Sequence, residues 1–503
     1  MAGRFAPKVV GVQRQTKTTN EAGGEAYKQT PRMALVSLAL TSVVIDGAYR
    51  SGASELVALT SLIDQLQAKG DLKFVAQTAL YVRHVHGLRT ISHVIAGEIA
   101  LRESKEGFPW RKSFFNKIVK RLDDAIEIAA YVKMKLGPTK MLPNALKRGF
   151  AEAFKRFDEY SVSKYNKNGD GLSLITLVNL VHPKLATGKK KKDEKHAVHL
   201  LMTGKIKPAM TWEFMLSEAG NEKDPVKAKA AAWASIFKEK QMGYMACLMN
   251  LRNIMEQAPK CVKNACELLT DEEQVKKALI MPTQFISAFK AIEGASGDEV
   301  QQILTAINKA IEIAMSNVPK LDGRTLVALD ASGSMNSAGT FKYSPFEIGA
   351  LFAAVLYKAN PKCDFMYFAD HGAYMNFDRD QKLLALRENI VQKRINGGTN
   401  FHTIFETANR SYDRIVILSD MQAWMATSEW QTSNPAQSLA AFRKKHDADP
   451  TIYSFDLKSH GTSQFPTNKV AALAGWTDKV FDIMRNLETD PKAQITAVEA
   501  MDV

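Results

Sequence analysis

The stretch Leu326–Met335, LVALDASGSM, decides how the chain is read. Its first half is a continuous apolar run, the pattern of a strand buried on both faces. Its second half, Asp330-Ala-Ser332-Gly-Ser334, places one carboxylate and two hydroxyls in a short polar turn. In open α/β sheets, ligands gather at the carboxyl ends of the strands. Asp330 is where such a strand would end, so the turn after it is the first candidate site.

The sequence after Lys320 supports that placement. Apolar runs (TLVALD, CDFMYFA, RIVILSD, TIYSFDL) alternate with amphipathic segments such as FEIGALFAAVLYKA, LLALRENIVQKR and PAQSLAAFRKKH. This predicts a doubly wound, Rossmann-like α/β domain over 321–503, with a parallel sheet covered on both faces. From about Thr30 to Val318 the pattern differs. Apolar residues recur every three or four positions in segments such as TSLIDQLQAKGDLKFVAQTALYVRHV and SFFNKIVKRLDDAIEIAAYVKMK, with breaks at Gly137-Pro138 and His182-Pro183. Antiparallel helix pairs of this kind predict an all-α solenoid over 1–320. The fold class is therefore multidomain, α followed by α/β.

Charge separates the same two parts. The chain of 503 residues carries a formal +14. Residues 1–320 hold 48 Lys and Arg against 32 Asp and Glu, and 321–503 hold 19 against 21. The whole basic excess lies in the helical part, which points to a polyanion partner there, nucleic acid ahead of membrane. No run of about 18 uncharged apolar residues occurs, and the N-terminus has no apolar signal core, so a cytoplasmic protein is expected. Cys247, Cys261, Cys266 and Cys363 have no zinc spacing and are expected as reduced structural thiols.

Two further loops share the chemistry of the opening turn: NGGTNF, with Thr399, and ILSDMQ, with Asp420. Asp330, Ser332, Ser334, Thr399 and Asp420 together offer hard oxygen donors, suited to Mg²⁺ with Mn²⁺ as the alternative. A phosphate loop GxxxxGK[ST] and a GxSxG nucleophile elbow are both missing. The segment NKNGDGLSLITL lacks the Glu that a calcium loop needs at Leu177. Hydroxyl-rich ligation with no general base also disfavours a metal nuclease, so no catalytic residue is assigned.

The motifs DASGSM, GGT and SD resemble the metal-ion-dependent adhesion site of von Willebrand factor A domains, over nearly all of 321–503. With a basic helical part before it, the arrangement resembles the Ro ribonucleoprotein family, bacterial members above all. NEAGGEAY near the N-terminus, LVNLVHPK at 177–184, CLMNLRNI at 247–254 and MPTQFISAF at 281–289 carry that resemblance. It implies a TROVE domain of HEAT-like helical repeats closed into a ring. It also implies binding of small noncoding Y-like RNAs and of single-stranded ends of structured or misfolded RNAs, by a monomer that scaffolds RNA quality control or processing. An exoribonuclease, or an acidic protein ligand at the metal site, would be the protein partner. The candidate RNA contacts are Arg83, Arg89, Arg111, Lys112, Lys117, Lys120, Arg121, His182 and Lys184, with the run Lys189–Lys192 nearby. The alternative is a cation-dependent interaction adaptor with no specific RNA role.

Overall fold

The computed structural model describes residues 17–19, 25–28, 30–41, 52–102, 109–137, 139–166, 172–185, 196–278, 280, 282–318, 320–336, 344–420, 435–457, 462–463, 470–474, 484 and 493–503. Lys189–Lys192 and residues 167–171 of the rejected calcium loop lie outside them. Nine strands are described: β1 (Lys17–Thr19), β2 (Glu25–Lys28), β3 (Thr325–Asp330), β4 (Cys363–Phe368), β5 (Gly372–Met375), β6 (Arg414–Ser419), β7 (Thr451–Asp456), β8 (Thr462–Ser463) and β9 (Val470–Ala474). The helices that matter here are α1 (Pro31–Thr41), α2 (Gly52–Ala68), α3 (Leu72–His84), α4 (Thr90–Leu101), α5 (Trp110–Lys117), α6 (Leu122–Leu136), α7 (Asn144–Ala153), α8 (Glu159–Tyr165) and α9 (Leu174–Val181).

The α/β unit is built on a six-stranded sheet in the order β5-β4-β3-β6-β7-β9. β3 pairs in parallel with both β4 and β6, while β5 alone runs antiparallel, at the edge. Every residue of β3 and β6 is buried, which is why their interiors, Leu326–Leu329 and Ile415–Leu418, are uninterrupted apolar runs. The helix Pro345–Ala359 covers β3. It starts with a capping box in which Ser344 Oγ accepts from Glu347 N and Glu347 Oε2 accepts from Ser344 N, with Pro345 in its first turn. Gly349 lets it approach, since a β-carbon there would stand 2.7 Å from Leu329 Cδ1. Asp330 and Ser419 thus end adjacent central strands, at the same edge of the sheet.

The compact units do not follow a single cut at residue 320. The α/β unit takes in residues of 1–62 together with 320–381 and 385–496. β1 and β2 pair antiparallel, β2 continues onto β8, and α1 packs against β9. Conversely, 497–503 belong with the helices, where Gln77 Nε2 donates to the Glu499 and Met501 carbonyls at 2.6 and 3.1 Å. Local periodicity places a segment with its sequence neighbours. Strand pairing is non-local and puts these two elsewhere.

In the helical unit, α3, α4 and α6 pack together, and α5 packs on α7. Their shared core holds one fully buried carboxylate, Asp124. It accepts from Arg83 Nη2 at 2.8 Å, His93 Nε2 at 2.8 Å, Lys120 N at 3.0 Å and Arg121 N at 2.8 Å. Burial disfavours its charge, but the hydrogen bonds from His93, Arg83 and the Arg121 backbone outweigh that and hold its pKa well below the carboxylate range. A carboxyl depressed on folding contributes stability above its unfolded pKa, and that contribution is lost as pH falls toward the folded value. Asp124→Asn should therefore cost about 3–5 kcal/mol, because it leaves Arg83 buried beside a neutral amide. Thermal unfolding of both chains at pH 7 and at pH 3 checks this. The gap between them should shrink in acid, and a variant as stable as the wild type at pH 7 would refute the account.

Candidate functional site

Two sites emerge, one in each unit. In the α/β unit, Asp330 and Asp420 are fully buried, and Ser332 and Thr399 are 1% and 2% exposed. Asp330 Oδ1 accepts from the Ser332 amide at 2.8 Å, and its Oδ2 accepts from Ser419 Oγ at 2.5 Å. The Ser332 and Ser334 hydroxyls lie 3.1 Å apart. Thr399 comes from the loop before the helix His402–Thr407, and that loop joins the serine turn through Gly333 N to Gly397 O at 3.2 Å. Asp370 Oδ1 holds the same loop by accepting from Gly398 N at 2.6 Å. Gly397 has φ +156°, and a β-carbon on it would stand 2.4 Å from Asp370 Oδ2. Glycine is therefore required for the loop to lie against Asp370.

Burial and the like charge of Asp420 push the Asp330 carboxyl above its ordinary range. A divalent cation among these oxygens would reverse both effects. The donor set fits one: two carboxylates and three hydroxyls, all oxygen, with no group of three His, Cys, Asp or Glu ligands among the described residues. Asp330, Ser332, Ser334, Thr399 and Asp420 are the residues that would hold it, and bound there it would supply a Lewis-acidic position for an anionic ligand.

The nine candidate RNA contacts do not form one surface. Arg83 is a correction. It is 4% exposed and locked to Asp124, so it faces the core and not a phosphate. Its neighbour Arg89 is 31% exposed and committed to Asp123 and Glu127 at 2.7 and 2.9 Å. Arg111 is half-buried and donates to the carbonyls of Ile99 and Arg102. Lys117 pairs with Asp502 at 2.5 Å. Arg121 grips Asp123 at 2.8 Å and lies over the Tyr165 ring. Lys120 is exposed. Of the histidines beside Arg83, His84 bonds the Lys117 carbonyl and His86 packs edge-on against Tyr81.

The remaining three converge. Lys112 of α5 joins His182 and Lys184, just past α9, around a cleft of about 370 Å³. Lys147 and Arg148 of α7, and Lys155 just beyond it, complete the lining. From the sequence, 144–160 reads only as one more helical segment. Lys155, seven and eight residues after Arg148 and Lys147 and so on the same helical face, was the available signal for a basic face. Glu152 is the one carboxylate among the described residues that line the cleft. It pairs with Lys155 at 2.9 Å and Lys112 at 3.5 Å, and the Lys155 hydrogen bond in particular holds its pKa low. Five cations against one carboxylate leave the cleft strongly positive. Local backbone explains how it closes. His182 caps α9 in the left-handed region at φ 51°, which turns the chain so that Lys184 also borders the cleft. Gly149 lets α7 lie against α5, since a β-carbon there would stand 2.4 Å from Phe115 Cβ and 2.8 Å from the Lys112 carbonyl.

Comparison with known proteins followed the same division. The TROVE domain model matches residues 19–205 and 202–331, and the Ro60 vWA domain model matches 324–488. The crystal structure of the Deinococcus radiodurans RO (RSR) protein superposes with a TM-score of 0.60 over 93% of this chain and 99% of that one, at 17% identity, so the fold is shared. Mouse telomerase protein component 1 is 29% identical over 144 residues, which is 27% of this chain and 5% of that protein.

Two outcomes test this geometry. Millimolar Mg²⁺ should raise the unfolding temperature of the wild type and EDTA should reverse the rise, a stabilisation of about 2.7 kcal/mol at a hundredfold excess over Kd. Asp330→Ala should abolish the response, and a wild type indifferent to Mg²⁺ and Mn²⁺ would remove the cation site. Gly149→Val should lower the unfolding temperature by several degrees, by about 1–3 kcal/mol of overpacking. A fully stable Gly149→Val would mean that the α5–α7 contact is not close.

Proposed function

We propose, given that this chain belongs to the TROVE-domain family of Ro proteins, that it is an RNA-binding protein whose helical unit grips RNA phosphates at the cleft between α5, α7 and the end of α9. The observation that carries this reading is the convergence of Lys112, Lys147, Arg148, Lys155 and Lys184 with His182 on one cleft. Phosphate contacts of this kind supply most of the affinity for a nucleic acid and little sequence discrimination. The Ro relationship supports the finer reading: small noncoding Y-like RNAs, and single-stranded ends of structured or misfolded RNAs, are what it holds and presents to processing.

The α/β unit has a separate task in this proposal. Its two buried carboxylates and three hydroxyls suit Mg²⁺ with one position open, and the ligand drawn to that position would be a carboxylate of a protein partner, an exoribonuclease among the candidates. The role is binding rather than catalysis. No helix among the described residues is long and apolar enough to cross a membrane, and a cytoplasmic, monomeric protein agrees with the proposal.

The full chain should bind a structured RNA with a single-stranded tail, and log Kd should rise steeply with log salt. Replacing Lys147, Arg148 and Lys184 together by Glu should weaken binding more than a hundredfold and flatten the salt slope by about one per lost phosphate contact. Asp330→Ala should leave RNA affinity within about twofold, because the cation site lies on the other unit. Equal affinity of the charge-reversed and wild-type chains would refute the cleft. Lost affinity in Asp330→Ala alone would move the RNA to the cation site.

A further inference from the structure

The segment that delivers Thr399 begins with an arginine bound to the other ligand loop. Arg394 Nη2 donates to the carbonyls of Ala331 and Ser332, both at 2.9 Å, and its Nε also faces the Ala331 carbonyl at 3.3 Å. Its Nη1 bonds the side chain of Asn336. The guanidinium lies over the Phe346 ring, 4.4 Å from the centroid, so aromatic and hydrogen-bonding contacts fix its plane together. Three residues later, Gly397 O accepts from Gly333 N, closing a second link between the same two loops.

We propose that Arg394 is a positioning residue for the cation site: it clamps the serine turn to the threonine loop and so sets where the ligand hydroxyls stand. Ser332 lies between two fixed peptides. Its carbonyl and that of Ala331 are held by Arg394, and its amide is held by Asp330 Oδ1. With both peptide planes fixed, Ser332 Oγ has little freedom to leave the position it shares with Ser334 Oγ. The work requires a planar fork with several donors, which lysine lacks. Outer partners of this kind typically change metal affinity by about 10–100-fold. The inference rests on the reading of Asp330, Ser332, Ser334, Thr399 and Asp420 as cation ligands.

Electrostatics alone gives the opposite sign. Arg394 carries a positive charge close to Asp330, so if charge were its whole effect, removing it would tighten cation binding. If instead its charge merely held the carboxylates in place, lysine would serve as well. Positioning predicts that neutral and lysine variants both bind the cation more weakly.

The test uses the full chain and Mn²⁺ as probe, with free Mn²⁺ counted by electron paramagnetic resonance and folding followed by circular dichroism. Arg394→Gln and Arg394→Lys should each weaken Mn²⁺ binding about 10–100-fold with the helical and sheet signals retained. Asn336→Ala, at an exposed position, removes one acceptor and should weaken binding about threefold. Unchanged or tighter binding in Arg394→Gln, or wild-type affinity in Arg394→Lys, overturns the proposal. Should Arg394→Gln fail to fold, Asn336→Ala decides, and wild-type affinity there overturns it. A wild type that binds no Mn²⁺ overturns the cation site itself, a result distinct from a bound wild type with indifferent variants.

Discussion

Two carboxylates held side by side out of water repel each other, and Asp330 with Asp420 is such a pair. The α/β unit cannot avoid it, because β3 and β6 are central, buried and adjacent, and each runs out beside the other at one edge. The strands that make the core also place the charges. Hydrogen bonds from the Ser332 amide and Ser419 hydroxyl offset part of the cost. In the proposed reading a bound cation would offset the remainder.

The helical unit meets the same difficulty differently. Asp124 is equally buried, yet Arg83, His93 and two backbone amides satisfy it from within. It is a closed structural knot that demands no ligand. The contrast separates a carboxylate neutralised by its own neighbours from a pair of like charges. It also explains why Arg83 offers no charge at the surface: its charge is used internally.

The α/β fold was legible because alternation of apolar runs with amphipathic segments has few alternative readings. The juxtaposition of Asp330, Ser332, Ser334, Thr399 and Asp420 was legible because each follows such a run or lies in a Gly-Gly-Thr loop, where position follows from topology. Arg394 was not, since nothing in RINGGTN shows which carbonyls an arginine five residues before Thr399 will reach. The basic cleft was half legible. Lys112, His182 and Lys184 share the cleft, but Lys147, Arg148 and Lys155 join them only because Gly149 brings α7 onto α5. Arg83 was misplaced because sequence spacing reveals a cation and not the carboxylate that claims it. The boundary at 320 overlooked β1 and β2, whose partner β8 lies at the far end of the chain.

That distant partner bears on how the protein is made. Lys28 pairs with Thr462, so β2 leaves the ribosome long before its neighbour exists. At ordinary synthesis rates of about 5–20 residues per second, the wait is roughly tens of seconds. Closing so long a loop carries an entropic cost that grows only slowly with its length, so the delay is mainly one of timing. Most of the helical unit is translated and can fold in the interval, while the small sheet stays open until β8 has been made. The nascent chain therefore presents an unpaired edge strand throughout that interval, the period in which a chaperone would have its opening.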